Sequence, residues 1–319
     1  RDVTGVQTCA LPIWIFVVVP DFWQQYPKGF SIQEDGVDIE LFPKLDKVEK
    51  GRYANRENEH IWYYYLRDDV YTMRQGVEKS HKVYIGFNTK PSSVDKVMPS
   101  LTDVSVGLPD PQYLAQTKAA GNIVPISVSQ NQWDVVIKSG FDAYLEKQKK
   151  KRWYGLLNWG DWHGERGYNW GNLEYDDAAC FFMQALRTQD ATYFRQALHC
   201  ARHYIDVDTV SFHQKRDLIG QVWIHSLGHT GGYYAPGTLD IFNYDMSSDA
   251  FHIGRGASLG HTRTEGVFLM YLLTGDIRAL EHGKKIADHL MTRPMLKTED
   301  FNYTTAREPG WAMVAFSAA

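Results

Sequence analysis

A pattern that recurs at an offset of 86 residues constrains the fold of this chain more than any other feature. Leu186–Asp190 aligns with Leu272–Asp276, and Ala201–His203 aligns with Ala287–His289. In each copy a Thr-x-Asp turn separates two stretches of helical periodicity, and its aspartate is placed to cap the second helix. Repeated helical hairpins predict an α/α toroid or a similar helical array. The predicted helices are Trp133–Lys150, Leu173–Arg187, Ala191–Tyr204, Gly266–Leu273 and Ile277–Met291.

The chain before residue 130 follows a different pattern. Its apolar runs are short, rich in β-branched and aromatic residues, and separated by Gly, Pro, Asn and Asp, which is typical of strands. Several strands at short spacing favour a β-sandwich. The predicted fold class is therefore α+β multidomain, a β-sandwich (14–129) followed by an (α/α) toroid (130–319). The predicted strands are Ile15–Val19, Val37–Phe42, Trp62–Leu66 and Lys82–Phe87, and Pro91–Ile126 is predicted as a linker with turns.

Both ends of the chain carry unusual sequence. Arg1–Ile13 resembles the translation of a sequencing-adapter oligonucleotide from a metagenome assembly, so it is excluded from fold reasoning. The last ten residues form an apolar stretch of helical character without a cap or turn. We therefore expect the natural protein to extend past both ends, with a sandwich truncated at its N-terminus and a toroid incomplete at its C-terminus.

Bulk composition excludes some classes of function. The formal net charge of -4 gives no reason to expect a nucleic-acid partner. No segment reaches the length of a membrane span. The oligomeric state is not readable from the sequence.

The run Asn158–Asp177 combines aromatic rings with hydrogen-bonding side chains and glycines, which suits neither a core helix nor a core strand. Aromatic faces beside dense polar groups indicate a solvated cleft for a polar ligand, most naturally a carbohydrate. The candidate substrate-contacting residues of this run are Trp162, His163, Arg166, Asn169, Trp170 and Asn172.

A histidine-rich segment, Gln221–Pro236, is a second candidate. His225 and His229 are four residues apart, but Ser226 stands where a zinc-protease motif needs glutamate, so that motif is excluded. A metal site made with His261 is one alternative, and histidines that only shape a turn are another. Because histidine titrates near neutrality, we favour a catalytic or substrate-contacting role, with Tyr233 and Tyr234 beside it.

A third candidate precedes an apolar helix, in the segment Ser258–Glu265. His261, Arg263 and Glu265 lie at the predicted start of that helix. Arg263 is placed to contact an anionic ligand. For Glu265 the alternative is a capping box with Thr262.

Four ordered segments together resemble the exo-acting rhamnogalacturonan lyase family: GDWHGERGYNWGNLEYD, ARHYIDVDTV, HSLGHTGGYY and HTRTEGVFLMYLLTGD. The similarity runs from about Phe30 to the end and is strongest from Asn158. The resemblance implies a central β-sandwich followed by an α/α toroid. It also implies a polysaccharide lyase, a carbon–oxygen lyase acting on a rhamnogalacturonan- or ulvan-like acidic polysaccharide, and a secreted or periplasmic location. No cofactor is expected, and a divalent cation such as calcium is the alternative.

The chemistry of β-elimination matches this inventory of residues. A neutraliser must mask the uronate carboxylate, a base must remove the proton alpha to it, and an acid must protonate the leaving oxygen. The hypothesis assigns masking to Asn169 and Asn172 with Arg166 or Arg263. It assigns the base to His229 or His225, the acid to Tyr233 or Tyr234, and sugar stacking to Trp162 and Trp170; His163, His261 and Glu265 are further substrate contacts.

Two other functions compete with the lyase hypothesis. A glycoside hydrolase would pair Asp161 or Glu165 with Glu174 or Asp176. A carbohydrate-binding, inactive fragment would bind the same ligand without turnover. Product analysis separates all three, because only a lyase creates a conjugated double bond.

Overall fold

The computed structural model describes residues 15–34, 36–44, 65–66, 71, 73, 76–87, 91–102, 106–129, 131–164, 170–171, 173–223, 259–292 and 306–319. The chain divides into two compact units. One comprises residues 1–46 and 80–107, and the other comprises residues 47–79 and 108–319.

The first unit carries four short strands and one helix in its described residues. β1 pairs with β4 in register Ile15↔Phe87, and β2 pairs with β3 in register Gly29↔Glu40, both antiparallel. The two pairs form separate two-stranded sheets. The elements are β1 (Ile15–Val18), β2 (Gly29–Ile32), β3 (Val37–Glu40), β4 (Tyr84–Phe87) and α1 (Pro91–Thr102).

Three of the predicted strands are confirmed, since β1, β3 and β4 lie inside them. Residues 62–64 of the fourth lie outside the described residues, while Tyr65 and Leu66 form a buried helical turn. The prediction that Pro91–Ile126 is only a linker is wrong, because α1 and a further helix at Pro111–Thr117 lie within it. Since the described strands form only the two isolated pairs, the β-sandwich stays a prediction.

The second unit is helical in its described part. Its helices are α2 (Pro111–Thr117), α3 (Trp133–Lys151), α4 (Asp177–Thr188), α5 (Ala191–His203), α6 (Glu265–Thr274), α7 (Ile277–Met291) and α8 (Arg307–Ala318). A π-helical turn, Tyr204–Asp208, extends α5. No helix within the described ranges is long and apolar enough to cross a membrane.

The two predicted hairpins are present, and their caps form as expected. A carboxylate oxygen of Asp190 accepts the Thr192 backbone N–H at 2.8 Å at the start of α5. The equivalent oxygen of Asp276 accepts the Arg278 N–H at 3.1 Å at the start of α7. These bonds satisfy N–H groups that the first helical turn cannot pair internally.

The first helices of the two hairpins, α4 and α6, lie side by side. Gly266 makes this close approach feasible, because a β-carbon there would collide with Asp176 and Ala178. Asp176 joins the two helix starts: one carboxylate oxygen accepts the Ala179 N–H at 3.1 Å, and the other accepts the Gly266 N–H at 3.3 Å. The N-terminal ends of α4 and α6 therefore meet at one place.

The repeat extends to the second helices, α5 and α7. The ring Nδ1 of His203 lies 3.3 Å from the Trp159 carbonyl oxygen, and that of His289 lies 2.9 Å from the Asp217 carbonyl oxygen. In each case the end of the hairpin's second helix is fastened to a segment that precedes the hairpin in the chain. The match covers two hairpins, so closure of a toroidal ring stays a prediction.

A glycine of positive φ lies at each of these fastenings. Gly160 has φ +105° and Gly220 has φ +85°. A β-carbon at Gly160 would collide with the His199 carbonyl oxygen, and one at Gly220 with the Lys285 carbonyl oxygen. His199 and Lys285 are again 86 residues apart, so the repeat governs loop packing as well as helix length.

Candidate functional site

The loop that precedes α4 is closed into a stem at its base. Asp161 accepts the Leu173 N–H at 3.2 Å, and the Trp162 carbonyl accepts the Gly171 N–H at 2.8 Å. His163 and Trp170 form an antiparallel bridge above them. The aromatic run predicted to form a cleft therefore starts from a fixed base at the shared end of α4 and α6.

The two tryptophans predicted to stack on sugar occupy different environments. Trp170 is 0% exposed and packs with Trp153, so its ring offers no face to a ligand in this structure. Trp162 is partly exposed and rests on Gly171, where a β-carbon would collide with its indole. The His163 ring meets the edge of Trp170 at 5.3 Å between ring centres. Of these aromatic residues, Trp162 keeps the better placement for a ligand.

A buried carboxyl group holds the Trp162 indole. The side chain of Trp162 hydrogen-bonds to Asp177, the first residue of α4. Burial, followed by the neighbouring Asp176 charge, raises the pKa of Asp177 to about 6, against the opposing effects of Arg263 and of the Trp162 hydrogen bond. Burial also raises the pKa of Asp176. Asp177 therefore changes charge near neutral pH, directly beside the partly exposed ring.

Arg263 is buried beside the acidic side chains at the start of α4. Its guanidinium is buried, donates to the Leu173 carbonyl oxygen at 3.1 Å and to the His261 carbonyl oxygen at 3.3 Å, and lies 4.5 Å from the Trp311 ring centre. Burial lowers the pKa of Arg263, and the surrounding acidic groups oppose that effect. Arg263 is therefore a fixed positive charge that stabilises the neighbouring carboxylates.

His261 connects a buried glutamate to an exposed arginine. Its Nδ1 lies 3.6 Å from Glu174 Oε1, and its Nε2 lies 3.3 Å from Arg307 Nη1. Sequence reasoning did not identify Arg307, because 46 residues separate it from His261 and no motif surrounds it. Packing of α8 over the turn Leu259–His261 brings the two together.

Glu265 is the first residue of α6, and it is exposed. The capping box with Thr262 is wrong, because the N-cap of α6 is Thr264 and the side chain of Thr264 forms no cap bond. The Thr264 hydroxyl donates instead to the Ala315 carbonyl oxygen at 2.8 Å. Partial desolvation of its carboxyl group, followed by the Asp176 charge, raises the pKa of Glu265.

A cleft of about 580 Å³ opens beside Asp177 and Glu265. Aromatic rings contributed by α3, α4 and α5 line it together with these carboxyl groups. The residues that form its aromatic wall are Phe141, Tyr144, Phe181 and Tyr193. Rings and carboxyl groups in one cleft suit a polar ligand with apolar ring faces, such as a sugar.

Several predicted site residues lie outside the described residues: His225, His229, Tyr233, Tyr234, Arg166, Asn169 and Asn172, together with Glu165 of the hydrolase alternative. Their roles stay predictions. Of the others, Trp162, His261, Arg263 and Glu265 gather at the start of α4 and α6. Within the described ranges, no group of three or more His, Cys, Asp or Glu side chains is arranged to hold a metal ion.

Part of the chain matches a known protein family. Residues 105–218, about a third of the chain, match the family described as "PcRGLX-like protein C-terminal alpha/alpha toroid domain". The match includes α2 to α5 and the stem of the aromatic loop, and it is consistent with the rhamnogalacturonan lyase-like family. No curated protein matches the chain.

Proposed function

We propose that the chain is a polysaccharide lyase that cleaves a uronic-acid-containing polysaccharide, rhamnogalacturonan-like or ulvan-like, by β-elimination. The observation that carries the proposal is the toroid-domain match over residues 105–218, which supports a polysaccharide-acting enzyme. The four segments quoted above extend the same resemblance to residues after the match. A secreted or periplasmic location and independence of a cofactor belong to the same proposal.

The geometry at the start of α4 supports binding of a sugar chain. The stem fixes Trp162 at the edge of the loop, and Asp177 fixes the plane of its indole. A ring held in this way gives up little conformational freedom when a sugar stacks on it. Such a surface would orient the polymer beside the residues that perform the chemistry.

The proposed chemistry needs a neutraliser, a base and an acid. Asn169 and Asn172 flank the buried pair Trp170–Gly171 in the chain, so they are our candidates for masking the uronate charge, together with Arg166. Preorganised donors on the developing enolate contribute about 3–4 kcal/mol each. An imidazole takes the proton, for which the sequence offers His229 and His225. Tyr233 or Tyr234 protonates the leaving oxygen.

The test is a panel of uronic-acid polysaccharides, with ultraviolet absorbance and mass detection of the unsaturated product. We expect His229→Ala and Asn169→Ala each to lower the rate by about 10²-fold or more. Asn122→Ala, at an exposed loop position, is the matched control and should keep the wild-type rate. Wild-type rates in both site variants would remove these two assignments, and absence of any unsaturated product would remove the lyase proposal.

Two of the carboxylates that the hydrolase alternative names are held by backbone N–H groups. Asp161 accepts the Leu173 N–H, and Asp176 accepts an N–H from each of two helices, so both have structural partners. Products that contain added water and no double bond would favour hydrolysis nonetheless.

A further inference from the structure

We propose that His261 is the base of the elimination, with Glu174 as the residue that positions it and Arg307 as the group that contacts the substrate carboxylate. This rests on the proposed lyase function, and it replaces His229 and His225 as the base, which leaves those two histidines a substrate-contacting role. The observation behind it is the line of three side chains formed by Glu174, His261 and Arg307.

The contacts of the ring assign its tautomer. A carboxylate only accepts hydrogen bonds, so the nitrogen facing Glu174, Nδ1, carries the proton. A guanidinium only donates, so the nitrogen facing Arg307, Nε2, carries the lone pair. Arg263 Nη2 also lies 3.5 Å from Nδ1, and because a guanidinium only donates, this contact opposes a proton on Nδ1. The shorter contact, 3.3 Å from Arg307 Nη1 to Nε2, decides the tautomer, and it leaves the basic nitrogen on the side of the exposed Arg307.

Glu174 is suited to positioning the ring. The side chains of His261 and Glu174 are 11% and 7% exposed, so little water competes for their contact. The distance of 3.6 Å from Nδ1 to Oε1 is longer than a hydrogen bond, and catalytic contacts often shorten only when substrate binds. A carboxylate behind a histidine fixes its orientation and stabilises the imidazolium formed when the ring takes a proton.

Arg307 is suited to bind the substrate. It is exposed at the start of α8, whereas Arg263 is buried and donates to backbone carbonyl oxygens. A carboxylate is a stronger partner for a guanidinium than a neutral ring nitrogen, because both partners are charged and two parallel bonds can form. Arrival of the uronate would therefore draw Arg307 off Nε2, exposing the lone pair beside the carbon that loses its hydrogen.

The elimination breaks a carbon–hydrogen bond and a carbon–oxygen bond. Nε2 of His261 takes the hydrogen on the carbon alpha to the uronate carboxyl, and the electron pair of that C–H bond becomes the new carbon–carbon double bond. The bond from the neighbouring carbon to the glycosidic oxygen breaks with its electron pair on the oxygen. That oxygen receives a proton from an acid, and His261 later returns its proton to water.

The experiment measures kcat and KM of the 319-residue protein on an acidic polysaccharide that it cleaves. We expect His261→Ala to lower kcat by about 10²–10⁴-fold, with partial recovery when imidazole is added, because free imidazole can replace a missing base but not a missing packing group. Glu174→Gln should lower kcat by at least about tenfold with little change in KM, and Glu174→Asp should recover part of that loss.

Arg307→Gln should raise KM by about tenfold on the acidic substrate and by much less on its methyl ester, which has lost the charge. Arg216→Gln, at another exposed arginine, is the matched control and should leave both constants unchanged. His261→Gln serves if the alanine variant does not fold.

The results distinguish failure of the His261 assignment from failure of the proposed lyase function. An active wild-type protein whose His261 variants keep kcat within about threefold, while His229→Ala is inactive, overturns the base assignment and leaves the lyase function standing. Loss of activity in His261→Ala without recovery by imidazole, accompanied by loss of substrate binding, also overturns it. Absence of unsaturated product from the wild-type protein overturns both.

Discussion

Asp177 shows how one side chain links stability to function at the scale of the residue. It holds the Trp162 indole, and burial raises its pKa from 3.8 to about 6. A carboxyl group with a raised pKa favours the folded state while it is protonated. As the pH rises from about 4 to 6, the unfolded chain releases this proton first, so the folded state loses stability over that interval.

We therefore expect Asp177→Asn to stabilise the protein above pH 6, by up to about 3 kcal/mol, because it removes a buried ionisation of about two pKa units while keeping an oxygen that can accept the indole N–H. Near pH 4 the gain should be much smaller. Urea unfolding of both proteins at pH 8 and pH 4 measures the difference. An equal difference at both pH values would contradict the link.

The sequence pointed to Trp162, Trp170 and Arg263 as candidate site residues, but it did not indicate how exposed each side chain would be. Trp162 and Trp170 occupy the same sequence run, yet one ring is partly exposed and the other is fully buried. Arg263 was chosen for its charge, but it is buried and its Nη1 donates to two backbone carbonyl oxygens. Local sequence does not decide which of two similar side chains faces solvent, because distant elements such as α8, which contributes Trp311, determine it.

At the scale of elements, the repeat predicted the two helical hairpins, α4–α5 and α6–α7. The bounds of α7 were predicted to the residue, and both aspartate caps formed, because helix periodicity and capping depend on neighbouring residues. The capping box at Thr262 failed for a reason outside the sequence window. The Ala315 carbonyl of α8 accepts the Thr264 hydroxyl, so the N-cap residue of α6 forms no cap bond, and Asp176 accepts the Gly266 N–H instead.

The glycines that fasten loops to helices give a prediction at this scale. We expect Gly220→Ala to cost more than about 3 kcal/mol, because the methyl group meets both an unfavourable positive φ and the Lys285 carbonyl oxygen. Gly275→Ala has a similar φ, +72°, with no atom near the added carbon, so it should cost only about 1–2 kcal/mol. Urea unfolding compares the two variants, and equal losses would show that backbone conformation alone is responsible.

At the scale of the whole molecule, the helical unit and the strand-bearing unit differ in how well they could be predicted. Helical hairpins reveal themselves through local period and turn residues. Strand pairing depends on partners that are distant in sequence. In the pairing of β1 with β4, Tyr84 lies 66 positions after its partner Val18. The toroid expectation accordingly has a family match behind it, whereas the sandwich has only short paired strands.

The proposed site masks the uronate with amide and guanidinium groups, and we propose that it needs no divalent cation. We therefore expect treatment with a chelator, followed by removal of the chelator, to leave kcat and KM on an acidic polysaccharide within about twofold of the untreated values. Calcium added back is the control. A loss of activity that calcium restores would assign charge masking to a metal ion instead.

The single carboxylate of Asp176 accepts hydrogen bonds at the beginnings of two helices whose first residues lie 88 positions apart along the chain. A junction of this kind leaves neither helix free to tilt alone, since any rotation of one would strain a bond to the other. Trp162, which bonds to the first residue of α4, and His261, which lies just before α6, are therefore attached to one rigid junction. A sugar chain that stacks on Trp162 would meet a surface whose geometry one carboxylate holds in place.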